Sequence, residues 1–221
     1  LRLSVFVAGL FPLFLAVGAT SSILEMTPPI CGLSLANLRD MFEEVHNGHP
    51  HEAIDIAEPR GRPVLAVVSG TVRKLFLSKP GGNTIYQFDE MGVYCYYYAH
   101  LDGYVEGLRE GMRVRRGDVI GFVGSTGNAD PRTPHLHFAI FKLGPERLWW
   151  KGKAVNPYPG LAAAVKRASV AEAECADYAS NWKPWPIACA AHRPRPPAAV
   201  REPGTSGLQA PNKTRKTVRS L

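Results

Sequence analysis

The stretch Pro134-His135-Leu136-His137-Phe138 holds two histidines separated by one residue. Side chains alternate faces with period two along a β-strand, so both imidazoles would sit on one face. Leu136 and Phe138 would face the other way, and Ala139, Ile140 and Phe141 prolong the apolar run. Alone, the pair could be two surface histidines on a half-exposed strand. Two upstream segments of matching chemistry change that weighting: His51-Glu52-Ala53-Ile54-Asp55 and Tyr98-Ala99-His100-Leu101. Four of the seven histidines fall in these three short segments. Imidazole and carboxylate together suit zinc, and three protein ligands with one open position is the catalytic arrangement.

A competing reading takes His51-Glu52 as the start of a helical HExxH zinc site with Glu52 as general base. The fifth residue is Asp55 rather than histidine, and prolines 50 and 59 bound a segment containing β-branched residues. Glu52 is then merely exposed. In a flat strand, residues four apart are separated by roughly 13 Å. His51 and Asp55 can therefore share a metal only if the segment bends.

The elements that would position these residues are mostly strands. Residues 35–45 show apolar side chains at helical spacing (Leu35, Leu38, Met41, Phe42) behind Ser34 or Asn37 as cap, and predict a short N-terminal helix. From residue 53 the pattern is β. Residues 64–68 and 71–77 flank Ser69-Gly70, a hairpin signal, and Pro80-Gly81-Gly82-Asn83 makes a further turn. Strands follow over 84–88 and 93–99, a short strand and turn over 113–118, a strand over 119–123, and then the Gly124-Ser125-Thr126-Gly127-Asn128 loop. Many short strands with Gly/Pro turns imply a mainly β domain, antiparallel and sandwich- or barrel-like. By alternation, Tyr96 and Tyr98 share the face of His100, where they line the cleft or serve core or hairpin packing. Asn128 and Asp130 are turn formers or substrate contacts, and Trp149-Trp150 is a carbohydrate platform or sheet-edge packing.

The chain has 221 residues and 45% hydrophobic content, enough for one domain with a real core plus appendages. Residues 1–22 combine one positive charge, an apolar run and a small-residue Val17-Gly18-Ala19 site, the pattern of a secretory signal. The run is short for a full span, so the expectation is cleavage or a short anchor on a secreted or periplasmic protein. Residues 23–34 read as a linker, 35–160 as the domain, and 161–221 as an Ala/Pro-rich tail with one helix over 161–176 and otherwise mostly disordered. Residues 1–159 carry 16 Lys/Arg against 15 Asp/Glu, and residues 160–221 carry 10 against 4. The basic character thus belongs to the tail, which could contact an anionic cell envelope; a nucleic-acid partner is not expected. Four widely spaced cysteines show no zinc-finger pattern. Cys175 and Cys189 could pair in an oxidising compartment, and Cys95 reads as a core residue.

The order His51-x-x-x-Asp55, Tyr98-Ala99-His100-Leu101, His135-Leu136-His137-Phe138, with Gly117-Asp118-Val119-Ile120-Gly121 and Gly124-Ser125-Thr126-Gly127 between, resembles the lysostaphin/LytM-type zinc endopeptidases of bacterial peptidoglycan. The likeness spans about residues 38–159. It implies one zinc ion held by His51, Asp55 and His137, with His100 and His135 catalytic, and a peptidoglycan peptide as substrate. It also implies the lysostaphin-type β fold. Two neutral imidazoles and one carboxylate leave such a site a net charge of about +1, which helps acidify a water towards pKa ~7. His100 and His135 suit the remaining work of base and hydrogen-bond donor. The chain departs from the family pattern at Ala53, where glycine is usual, and at His49, where arginine is frequent. His49, with His46 nearby, could be a decoy ligand or a substrate contact, or a solvated loop residue. The alternative class is a non-catalytic cell-wall binder that regulates another hydrolase. Such members typically lose metal ligands, whereas all five positions are filled here.

Overall fold

The computed structural model describes residues 26–46 and 48–168. β11 (His135–Leu143) is its organising strand. One edge of β11 pairs with β7 (Tyr94–Leu101). The other edge pairs first with β3 (Ile54–Ala57) and then with β12 (Gly152–Val155). β6 (Gly82–Asp89), β5 (Gly70–Ser78) and β9 (Arg113–Val114) continue outward from β7 and complete a seven-stranded sheet. A second sheet is ordered β4 (Pro63–Leu65), β10 (Val119–Phe122), β8 (Gly103–Tyr104), and β1 (Val45–His46) and β2 (His49–Pro50) form a separate ribbon. All these pairings are antiparallel.

Alternation divides the large sheet into two faces. Leu136, Phe138 and Ile140 of β11, Tyr96 and Tyr98 of β7 and Ile85 of β6 are fully buried. They pack with Val64 and Ile120 of the smaller sheet in one core, the mainly β, sandwich-like arrangement expected. The Tyr98 hydroxyl accepts from Val67 N–H at 3.0 Å and donates to Gln87 Oε1 at 2.9 Å, so its burial leaves no polar group unmet. His135 and His137 lie on the opposite face.

Three local expectations are corrected. Residues 35–45 form only one 3-10 turn, Leu35–Asn37, and Leu38 is already extended (φ −115°, ψ 118°). Ser34 makes no side-chain cap, and Asp40 instead folds back on Phe42 N–H at 3.2 Å. That local bond competes with a helix. The Ser69-Gly70 hairpin does not form either, because β4 pairs with β10 and β5 pairs with β6 and β9. Finally, the α-helix α1 (Tyr158–Ala168) crosses the boundary drawn at residue 160. Asn156 Oδ1 accepts from Tyr158 N–H at 2.9 Å at its start, and Pro159 fits its first turn. Leu161, Ala164 and Val165, at helical spacing, are buried in the core, so residues 161–168 belong with the domain.

Leu161 is fully buried. Leu161→Ala is therefore expected to cost about 2–5 kcal/mol in denaturant unfolding. Ending the chain after residue 160 should cost at least as much, and a loss below about 1 kcal/mol would detach the helix from the domain.

Cys31 is disulfide-bonded, and Cys95 is free and buried. The signal or anchor at 1–22, the Cys175–Cys189 pairing and the tail beyond 168 also lie outside the described residues.

Candidate metal centre

Asp55 of β3 stands directly opposite His137 of β11, so both side chains share one sheet face. His135, two residues earlier, shares it too. His51 comes before β3, where a straight strand would carry it away. Glu52 instead takes φ 53°, and the chain bends at Ala53. Glu44 O accepts from His51 N–H at 2.8 Å and Phe42 O from Glu52 N–H at 2.9 Å, which pins the bend. His51 Nε2 thereby comes to 3.2 Å from Asp55 Oδ1. A left-handed non-glycine residue costs of order 1–3 kcal/mol and collects at functional sites. The alanine that replaces the family glycine is fully buried, and the positive φ falls on the residue before it. Glu52 is exposed on a non-helical segment, so the HExxH geometry is absent.

His100 reaches the same face through a second irregularity. The β6–β7 register shifts between Asn83 and Ile85, and His100 has φ 57°. Ala99, opposite His137, already faces the site. The bulge turns His100 to that side as well, with its N–H donating to Gly81 O at 2.8 Å. Its ring centroid lies 4.9 Å from that of His135 and 5.5 Å from that of His137. The bulge also reverses the tyrosine assignment. Tyr96 and Tyr98 are in the core, and Tyr97 faces the site with its ring 6.0 Å from His137.

Three donor atoms converge. His137 Nδ1 is 2.9 Å from Asp55 Oδ1, and His51 Nε2 is 3.2 Å from each of them. Ligand bonds of 2.0–2.1 Å in tetrahedral geometry require ligand–ligand edges of about 3.3 Å. The triangle therefore fits one face of a zinc tetrahedron. Burial pushes the Asp55 carboxyl up, but its hydrogen bond from His137 and the surrounding imidazoles outweigh this and hold it at about 2. Burial lowers His51, against the pull of Asp55. Its Nδ1 is buried without a hydrogen bond of good geometry; the Met41 backbone is near enough to favour the charged ring slightly. The set thus presents a carboxylate and a neutral His51 imidazole to a cation. His46, His51 and Asp55 also bring one atom each within 4.8 Å of one another. The triangle with His137 is the tighter choice, because His46 is exposed on the β1–β2 ribbon and stacks on His51 at 4.2 Å.

The remaining two histidines are oriented by main-chain oxygens. His100 Nδ1 lies 2.8 Å from Thr126 O, and His135 Nδ1 lies 2.9 Å from Thr133 O. A carbonyl only accepts, so each Nδ1 carries the hydrogen, and each neutral ring keeps an unprotonated Nε2. His135 Nε2 points into the site, 3.9 Å from Asp55 Oδ1. Burial lowers His100 to about 4, against the opposing pull of the Thr126 carbonyl. The unfolded chain, with histidine near 6.5, binds the proton first. Metal-free protein should therefore lose stability as pH falls from about 6.5 to 4, and His100→Asn should flatten that part of the profile. Denaturant midpoints measured across this range check it; an unchanged slope in the variant would remove His100 as the cause.

Around His100 the chain is knitted by groups that residue types alone do not reveal. Thr126 Oγ1 accepts from Asn83 N–H at 3.0 Å and donates to Leu101 O at 2.8 Å. Arg60 spans Asp102 and Ser125 on either side of the site loop. Asp130 folds onto Arg132 as a turn former, Asn128 and His49 are exposed, and His46 rather than His49 adjoins the site.

The chain is similar to known peptidases. The description of peptidase family M23 matches residues 49–157. The L-Ala–D-Glu endopeptidase of Bacillus subtilis is 36% identical over 118 residues, 51% of this chain and 35% of the relative. The DD-carboxypeptidase/endopeptidase Mpg of Neisseria meningitidis is 37% identical over 145 residues, 62% of this chain and 30% of the relative. The chain thus spans about a third of the length of these curated relatives. The structure of the antimicrobial peptidase lysostaphin from Staphylococcus simulans superposes with a TM-score of 0.50 at 28% identity, covering 64% of this chain and 54% of that one.

Proposed function

The chain belongs to peptidase family M23, of the lysostaphin/LytM type, and on that footing we propose that it is a zinc-dependent endopeptidase acting on peptide bonds of bacterial peptidoglycan. The observation that carries the reading is the convergence of His51 Nε2, Asp55 Oδ1 and His137 Nδ1 at 2.9–3.2 Å beside two oriented histidines. His51, Asp55 and His137 would hold the ion. When bound, zinc supplies Lewis acidity, polarising a carbonyl and acidifying a water.

The chain's own residues manage the protons. One of His100 and His135 takes up the proton of the attacking water at Nε2 and passes it to the leaving amine. The other, carrying at Nε2 a proton taken from solvent before the attack and kept throughout, donates a hydrogen bond to the carbonyl oxygen as charge develops there. Peptidoglycan as substrate is supported by the endopeptidase relatives, one of them named for the L-Ala–D-Glu bond. A secreted or periplasmic setting is supported by the Cys31 disulfide, which calls for an oxidising compartment. No helix among the described residues is long and apolar enough to cross a membrane.

The test is the mass spectrum of fragments released from purified peptidoglycan by the zinc-loaded protein. New amine and carboxyl termini at one peptide bond, abolished by a chelator and restored by zinc, are expected. Binding to the wall without any cleaved bond would instead establish a non-catalytic cell-wall protein.

A further inference from the structure

A row of aromatic rings runs from the metal centre across the same sheet face. Tyr97 lies 6.0 Å from His137, Tyr86 4.7 Å from Tyr97, and Trp149 4.7 Å from Tyr86, centroid to centroid. Trp149 also touches Phe76 at 5.5 Å and Trp150 at 5.3 Å. The register explains the first part of the row. Tyr97 pairs with Ala139, which shares the face of His137, and Tyr86 pairs with Tyr97. The tryptophans come from the 144–151 connection between β11 and β12, which brings Trp149 against Phe76 and Tyr86. The outer end of the row is open: Trp150 is 62% exposed and Phe76 38%. Packing accounts for Trp149, which touches three rings. It does not account for leaving Trp150 in solvent at the outer end of the row, beside the exposed Phe76.

We propose that this row is a saccharide subsite, holding a sugar of the glycan strand to which the cleaved peptide is attached; the proposal rests on the peptidoglycan reading of the adjoining centre. The chemistry of the row selects the occupant. No ionised side chain belongs to it. β6 and β7 are interior strands paired on both edges, so they offer a peptide no free backbone edge. They carry phenol rings, half-buried at Tyr86 and Tyr97, that lead out to the exposed Trp150. A pyranose presents an apolar C–H face that stacks on the electron-rich face of an aromatic ring, and hydroxyls at its rim that can bond to those phenols. Distance also fits. An extended peptide advances roughly 3.3–3.6 Å per residue, so a sugar roughly two to five residues from the cut would lie over the row. The subsite would favour bonds close to the glycan over bonds far out in a crosslink.

Two measurements test this, one of which does not need activity. In the first, the full chain is titrated with a peptide-free GlcNAc–MurNAc tetrasaccharide and followed by tryptophan fluorescence and calorimetry. Binding is expected, weakened about tenfold or more in Trp150→Ala and largely kept in Trp150→Phe. In the second, cleavage of a disaccharide-linked stem peptide is compared with cleavage of the same peptide freed of sugar. Trp150→Ala should lower kcat/KM about tenfold for the first and leave the second unchanged. Absence of tetrasaccharide binding by the unaltered protein, or equal binding by Trp150→Ala, overturns the subsite. So does an equal fall on both peptides, which would mean a packing role, or concentration-dependent self-association lost in Trp150→Ala without sugar binding, which would make the row an interface between copies. Sugar binding by a protein that cleaves no wall peptide would leave the subsite standing and overturn the peptidase reading alone.

Discussion

Alanine at His51, Asp55 or His137 is expected to strip zinc from the protein and take wall-hydrolysing activity to background. Each substitution removes one of three protein donors from a four-coordinate site, and two donors do not hold a catalytic zinc. The three residues contribute differently. Asp55 supplies the negative charge, so Asp55→Asn should also weaken the metal while preserving shape. His137 sits opposite Asp55 on paired strands, and its loss opens the triangle at its shortest edge, 2.9 Å. His51 has a side chain only 5% exposed, so its replacement leaves a small void as well as a missing ligand. Elemental analysis of each purified variant, with circular dichroism to show that the sheets are intact, checks the expectation. A variant that keeps one zinc per chain excludes its residue from the ligand set.

The second large effect separates chemistry from binding. His100→Ala and His135→Ala should retain zinc and lose about 10²-fold or more in kcat, the usual scale of general acid–base help. That factor corresponds to about 2.7 kcal/mol of barrier. The two changes should be far from additive in combination, because both rings handle one proton and one oxygen. Glu52→Gln should leave the rate nearly unchanged, since Glu52 is exposed. If Glu52→Gln abolished activity and His135→Ala were harmless, the base would be Glu52 and the assignment of the histidines would fall.

How far the sequence revealed all this depended on whether the information was local. The alternation at 135–138 is a period-two signal carried by the residues themselves, and β11 obeys it, apolar side inward and imidazoles outward. The pairing that puts Asp55 opposite His137 is non-local, yet residue types and their order pointed to both partners. What failed were features set by backbone geometry. Nothing about a histidine announces φ 57°, so alternation alone puts Tyr96 and Tyr98 on the face of His100, whereas the bulge sets His100 on the side of Tyr97 and leaves Tyr96 and Tyr98 to the core. The spacing of Leu35, Leu38, Met41 and Phe42 is helical, but the Asp40 side chain reached the backbone first. Residues 161–168 read correctly as helical, while their docking against the core depends on partners far away in the chain.

The carbonyls that orient His100 and His135 shift where the protein is vulnerable to heritable change. A main-chain acceptor survives any substitution of the residue that bears it. Drift at Thr133 would leave its oxygen where His135 needs it, so that position is free to vary. The burden of constancy passes to glycines that bring the acceptor loop close. A Cβ at Gly124 would strike the Asp102 backbone, and one at Gly127, where φ is 78°, would strike the Pro80 carbonyl. Variation among natural copies of this domain should therefore be broad at Thr133 and narrow at Gly124 and Gly127.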